Sequence, residues 1–400
     1  MRIALLVAGL LLFFIIWLVL DFRMGQKKHL QEARPFLTPE LYGHFEIFTH
    51  GQELFQRYFA DLRQARHHIH VLFYILKDDD ISQEFFLILK KKASEGVEVR
   101  LLLDRLGSIK VKKAMVNDLK KAGVNFAFSN RVRLPFLFYS SQVRNHRKIS
   151  IIDGEIGYLG GFNVGKEYID EEPKLCPWRD YHLRISGESV NYLQKVFFMD
   201  WQEYFGEHLR HDSIYFPVLP KGDVCHQFIP TEAGQMEEYY VSLIRKAKKS
   251  IVIGTPYFIP SQTVCAELIQ SRQRGVDITV IVPFKTDHPL VQEASFPYLR
   301  KLLEEDVAVY QYKHGFYHAK TVVIDDTICD IGTANFDRRS IFLNKEINCI
   351  FNDSAFIKRF KDIIQKDISD SEPLTLATLT KPNLYRSIKE MIAGAISRFL

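Results

Sequence analysis

Two short segments carry the residue types that phosphoryl transfer requires. His146-Arg147-Lys148 is followed by Asp153, and His318-Ala319-Lys320 is followed by Asp325 at the same spacing. Both segments are rich in β-branched residues and read as strands, whose side chains alternate faces, so the histidine and lysine of each copy share a face. A phosphodiester that exchanges one ester bond for another needs a nucleophile at phosphorus, an acid for the leaving oxygen and positive charge against the non-bridging oxygens. A neutral imidazole can attack and a protonated one can donate, so two histidines divide the work while Lys148 and Lys320 balance charge. One histidine would become phosphorylated, and water or an alcohol would then take the group from it. This chemistry calls for no metal and no cofactor, and none is expected. The five cysteines are scattered, without a Cys-x-x-Cys pair or zinc spacing, and read as reduced thiols.

A lone His-x-Lys pair on a strand is ordinary surface. Its duplication decides the matter, because the same constant offset also carries Gly160 and Asn163 onto Gly332 and Asn335. Five rare residue types repeated in one frame mark a duplicated lobe, since solenoid repeats recur every ~20–50 residues. Asp153 and Asp325 enter the catalytic set with the pair, although either alone would ordinarily hold a turn or a salt bridge. Asn163 and Asn335 follow small residues that permit tight turns, where their amides could donate to phosphate oxygens.

The elements that must position these residues alternate apolar runs with amphipathic stretches, the pattern of an α/β layer fold. The strand beginning at Ile69 has a counterpart beginning at Ile251, and Gly96 and Gly275 each stop a helix just before a strand. With 47% hydrophobic and 25% charged residues, the chain can build two fused cores and shows no sign of disorder. The expected organisation is a transmembrane anchor over 1–20, a linker over 21–40, a first lobe over 41–215, a second over 216–371 and an amphipathic helix over 372–400. Residues 3–20 carry no charge and approach the ~20 residues a spanning helix needs. No small-x-small cleavage site follows Leu20, so the span reads as retained. Arg23, Lys27 and Lys28 follow it, against Arg2 before it, which places the body in the cytoplasm of a single-pass membrane protein. In the terminal segment Leu384, Ile388, Met391 and Ile392 recur at helical spacing, suited either to the protein's own core or to the membrane interface. Residues 131–139 place aromatics beside basic residues, as a lipid-touching rim or as a buried strand.

Beyond the doubled motif, the chain resembles the phospholipase D superfamily, and within it the bacterial cardiolipin synthases of the phospholipase D type. Arg144-Asn-His-Arg-Lys-Ile-Ser-Ile-Ile-Asp-Gly, Gly160-Gly-Phe-Asn, Trp178-Arg-Asp-Tyr-His-Leu-Arg-Ile and Asp200-Trp carry the likeness in the first half. Thr255-Pro-Tyr-Phe-Ile-Pro, Asp287-His-Pro-Leu-Val, His318-Ala-Lys and Gly332-Thr-Ala-Asn-Phe-Asp-Arg-Arg-Ser carry it in the second. The resemblance implies two pseudo-symmetric lobes of mixed sheet flanked by helices, sharing one active site. It implies transfer of a phosphatidyl group between two phosphatidylglycerol molecules, with release of glycerol. It further implies His146 as nucleophile, His318 as acid, and Asp180 and Glu346, on the strands after each motif, as carboxylates that orient the histidines.

The partners expected are phosphatidylglycerol and anionic membrane lipid, with no obligate protein partner evident. A net charge of +5 on 400 residues is mild, and with the anchor it argues against nucleic acid. Two alternatives stay open at this level: a hydrolytic phospholipase D, and a phosphodiesterase or nuclease using the same two histidines.

Overall fold

The computed structural model describes residues 2–33, 36–209 and 212–399. The first half contributes strands β1 (Leu41–Phe48), β2 (His68–Phe73), β3 (Glu98–Asp104), β4 (Asn125–Ser129), β5 (Ile149–Ile152), β6 (Ile156–Gly160), β7 (Trp178–Arg179) and β8 (His182–Ser186). The second contributes β9 (Val224–Thr231), β10 (Ser250–Gly254), β11 (Asp277–Pro283), β12 (Ala308–Tyr312), β13 (Phe316–Tyr317), β14 (Thr321–Ile324), β15 (Ile328–Gly332), β16 (Glu346–Phe351) and β17 (Ser371–Pro373).

Among the described residues all of these strands except β7 and β13, which pair with each other, form a mixed 15-stranded sheet whose centre is the antiparallel pair β1 and β9. Outward from β1 the order is β8-β6-β5-β2-β3-β4, and outward from β9 it is β16-β15-β14-β10-β11-β12, the same connectivity twice. In each half the three outermost of these strands run parallel, β2-β3-β4 and β10-β11-β12, joined by helical crossovers. Those strands are mostly buried, with β2 buried at every position, as in sheets that helices cover on both faces. Asp79 and Asp353 start helices Asp80–Ser94 and Ser354–Ser369 by accepting the backbone N–H three residues on. Gly96 and Gly275 stop helices at φ of 90° and 92°, where any other residue would be strained. One apolar core lies between the lobes, with Leu72 and Phe197 from the first half against Phe228, Ile331 and Phe360 from the second.

The structure departs from the expected boundaries at both ends. The N-terminal helix Arg2–Glu32 does not stop at 20 but runs through most of the expected 21–40 linker, because residues 26–32 are good helix formers and no proline occurs before position 35. Within it Gly25 is required by contact, since a Cβ there would lie 2.6 Å from Tyr139. Its apolar stretch is long enough to cross a membrane and is unburied. The 372–400 region is not one helix. Ser371–Pro373 adds β17 antiparallel to β12, Leu376–Thr380 forms a short helix, and Pro382 delays the amphipathic helix to Leu384–Ile396, capped by Asn383. Residues 131–139 form no strand: Val132 and Leu134 are exposed, and a helix begins at Leu137.

Candidate active site

The segments that lead into β5 and β14 each cross to the other lobe before their strands begin. The His146 N–H donates to the Lys345 carbonyl at 2.9 Å, and the His318 N–H donates to the Arg179 carbonyl at 2.7 Å. Asn145 bridges in parallel to Lys345, and β13 pairs in parallel with β7. Each motif histidine is therefore stitched beside the residue that precedes the other lobe's carboxylate. As a result, His146 Nδ1 meets Glu346 at 2.9 and 3.0 Å, and His318 Nδ1 meets Asp180 at 2.6 Å. Glu346 opens β16, whereas Asp180 lies between β7 and β8 rather than on a strand.

A carboxylate is acceptor-only, so each Nδ1 carries the hydrogen and each Nε2 keeps its lone pair. Aromatic neighbours fix the ring planes, with Tyr74 centred 4.8 Å from His146 and Trp178 4.8 Å from His318. Both histidines are almost wholly buried, and burial pulls each down to about 4 despite the carboxylate beside it. For His318 the Lys320 ammonium lowers it further. Two neutral imidazoles thus stand with matched tautomers, each on a carboxylate of the opposite lobe. Charge couples the two motifs directly, since Lys320 acts on His146, and both Lys320 and Asp180 act on Lys148.

The two half-sites differ in how their carboxylates are satisfied. Glu346 accepts from Thr333 Oγ1 at 2.6 Å, Ser340 Oγ at 2.8 Å and Asn344 Nδ2 at 3.2 Å. Asp180 instead accepts from Lys320 Nζ at 3.1 Å and the Tyr181 N–H at 2.8 Å. The residues facing these carboxylates explain the difference. Thr333 supplies a hydroxyl, whereas the matching Gly161 supplies space: a Cβ there would lie 2.1 Å from Asp180 Oδ1. Burial pushes both acids up, but for Asp180 the Lys320 ammonium and the hydrogen bond from His318, and for Glu346 the hydrogen bond from His146 and the Lys148 ammonium, outweigh it and hold them below the usual range. Among the described residues Lys148 makes no hydrogen bond to an acid: its ammonium donates to the His146 carbonyl at 2.8 Å and lies 5.5 Å from the Tyr74 ring centre. Burial lowers it to about 7, and Lys320 too is lowered by burial. A buried lysine facing a carbonyl and a ring is set to receive an anion.

Not every residue assigned to the site from the sequence lies there. Asp153 and Asp325 sit at the far ends of β5 and β14, seven residues and about 23 Å from their motif histidines at strand rise. Both adopt left-handed backbone, φ 55° and 52°. Asp153 accepts from the N–H groups of Arg66, His67 and His68, and Asp325 from those of Lys248, Lys249 and Ser250. They hold the entries of β2 and β10, at the opposite strand ends from the histidines. Asn163 is also spoken for, accepting from the Ile75 N–H and donating to the Tyr168 hydroxyl. Asn335 differs, because its amide oxygen is buried without a hydrogen-bond partner.

The sequence reading missed Tyr74, Thr333 and the buried Arg147. The Arg147 guanidinium holds Asp200 at 2.8 and 2.9 Å and donates across the lobe boundary to the carbonyls of Glu346 and Thr231. An arginine inside a buried motif needs an acid, and that was the available signal; nothing in the spacing pointed to Asp200.

Known proteins resemble the chain along its whole length. The family model described as cardiolipin synthase, phospholipase D-like domain, matches residues 58–197 and 240–368. The minor cardiolipin synthase ClsB of Bacillus subtilis (strain 168) is 39% identical over 400 residues, covering all of both chains. A cardiolipin synthase of Staphylococcus aureus is 39% identical over 371 residues, 91% of this chain and 75% of the relative. Among solved structures, the phosphatidylserine synthase of Haemophilus influenzae Rd KW20 superposes with a TM-score of 0.73 at 16% identity, covering 91% of this chain and 97% of that one, a likeness of fold. Doubled motif, shared site and full-length relatives together place the chain in the cardiolipin synthase family of phospholipase D-like enzymes.

Proposed function

We propose that the chain transfers a phosphatidyl group from one phosphatidylglycerol to the head-group hydroxyl of another, forming cardiolipin and releasing glycerol. The observation that carries this reading is the pair of buried imidazoles, each with Nδ1 on a carboxylate of the opposite lobe and Nε2 left to react. His146 Nε2 attacks phosphorus, the bond to the departing glycerol oxygen breaks, and His318, which takes up a proton at Nε2 when the anionic diester binds, delivers it to that oxygen. The hydroxyl of the second lipid then attacks the phosphohistidine, its proton passes to His318, and His146 leaves unchanged. Lys148 and Lys320 balance the phosphoryl oxygens, and binding the anion raises His318 so that it can hold the proton. Asn335, with its unpartnered amide oxygen, is the asparagine left to orient a ligand group. The lobes divide at about 215, and the basic residues after the anchor put the body on the cytoplasmic side.

The test is to incubate the purified full-length protein in detergent with labelled phosphatidylglycerol and resolve the lipids. Cardiolipin with an equivalent of glycerol is expected, and a labelled phosphohistidine trapped on acid-free quenching should map to His146. Phosphatidic acid alone would replace this reading with a hydrolase, and no turnover would move other diesters to the front.

A further inference from the structure

The C-terminal helix Leu384–Ile396 is attached to the body by its charged side. Lys389 donates to Glu293 at 2.9 Å, Arg300 donates to Glu390 at 3.1 Å, and on the same side the small Ala393 is buried in a cluster with Val291 and Ala294. Its apolar row points away, with Leu384 79%, Ile388 45%, Met391 70% and Ile392 46% exposed. A helix resting on a protein core in water shows the reverse arrangement, and an apolar row of this length left open marks an interaction surface.

The position of the helix identifies what covers it. Beyond the helix, the Phe399 ring lies 5.5 Å from Phe22 and 5.5 Å from Phe138, and Arg339 donates to the Phe399 carbonyl at 2.9 Å. Phe22 stands where the apolar anchor gives way to polar chain, beside Asp21, whose carboxylate accepts the Tyr139 N–H at 2.7 Å. The same aromatic cluster carries the segment containing Val132, Leu134 and Leu137, all exposed, with Arg131 just before them and Arg133 among them. Both apolar surfaces are therefore tied to the level at which the anchor leaves the hydrocarbon.

We propose that helix Leu384–Ile396 lies in the bilayer interface, its apolar row among the upper acyl carbons, and that residues 132–137 enter the same plane. With the anchor they make a three-point seat. Val143 and Leu343 of the aromatic cluster stand three residues before His146 and Glu346, so the seat sets the height of the reacting groups above the membrane. The proposal rests on the anchor spanning the membrane and is independent of which diester is transferred.

The first experiment is photocrosslinking of the full-length protein in vesicles of phosphatidylglycerol and phosphatidylethanolamine. p-Benzoylphenylalanine replaces Met391, Leu134 or, as a reference inside the span, Leu10. Lipid adducts are expected at all three positions. A protein–protein adduct at Met391, or no lipid adduct there while Leu10 gives one, overturns the proposal. The second is the combined Ile388→Glu, Met391→Glu and Ile392→Glu variant. Turnover of vesicle lipid should fall about tenfold while turnover in detergent micelles stays within about twofold. Equal loss in both, or none in vesicles, overturns it. Because crosslinking needs no turnover, failure of the proposed reaction leaves that result intact.

Discussion

An imidazole that must attack through one nitrogen needs the other nitrogen occupied, and here the occupant comes from the opposite lobe in both half-sites. Neutralising either carboxylate keeps a hydrogen-bond partner but removes the preference for the reactive tautomer. Glu346→Gln and Asp180→Asn should each lower kcat by up to about 10⁴-fold, the scale of a lost orienting carboxylate, with KM held within about twofold. A KM effect without a kcat effect would assign them to lipid binding instead. Lys148 gives a second, independent reading. Its ammonium, lowered to about 7 by burial, is charged below that value and loses its proton as pH rises through it. The kcat/KM profile should therefore descend above about 7, and Lys148→Arg, which stays charged, should remove that descending limb even with a lower plateau. An unchanged limb in Lys148→Arg would assign it to another group. The histidines, lysines and both carboxylates were legible in the sequence because the duplication and the family resemblance singled them out. The exchange of carboxylates between lobes was not, since it depends on two backbone hydrogen bonds between segments far apart in the chain.

Elements decide which motif residues do chemistry and which hold shape. The motif spans a whole strand, so its histidine and its aspartate stand at opposite ends, and one-dimensional spacing hid that separation. Asp153→Ala and Asp325→Ala each remove an acceptor for several N–H groups and leave a non-glycine residue at positive φ. Each should cost about 1–3 kcal/mol in urea unfolding while kcat per folded molecule stays within a few-fold. A large kcat loss with unchanged stability would return them to the chemistry. For Asp325, burial is outweighed by the N–H groups of Ser250, Lys249 and Lys248, which hold the carboxyl below its ordinary value of 3.8. Its contribution is therefore present above that value and lost as pH falls through the folded one. The strand turn before Asp180 works in the opposite sense, where structure serves chemistry by leaving room. Gly161→Ala drives a Cβ into Asp180 Oδ1, and a shift of about 1 Å at that carboxylate should cost 10²-fold or more in rate with the fold retained by circular dichroism. Wild-type activity in this variant would mean that Asp180 moves freely. The small residue was visible in the sequence as a turn signal, but its real constraint, a carboxylate from a later loop, was not.

At the scale of the molecule, one site between two lobes works only if the lobes keep their register, and matched buried ion pairs span the junction. Lys345, which precedes Glu346, lies 3.5 Å from Asp200 on the first lobe's helix Val190–Phe205. Arg179, which precedes Asp180, lies 2.7 Å from Asp367 on the second lobe's helix Ser354–Ser369. Each cation also offers its backbone carbonyl to the opposite motif histidine, so the ion pair and the catalytic geometry share a residue. Burial holds Asp367 above the ordinary carboxyl range even beside Arg179, the mark of a charge whose desolvation is only partly offset. Such a pair stabilises little relative to an apolar substitute, yet removing one member strands the other. Arg179→Met alone should destabilise by about 3–5 kcal/mol, and Asp367→Leu alone by a similar amount. The double variant should recover much of that loss, because no charge is left buried without a partner. If the pair only contributed stability, the double variant would regain turnover along with its folding. If it also sets register, stability returns while kcat stays depressed, because the Arg179 carbonyl no longer holds the His318 N–H in place. Urea unfolding and kcat measured on the same three variants separate these outcomes, and the shared residue at each junction argues for the second.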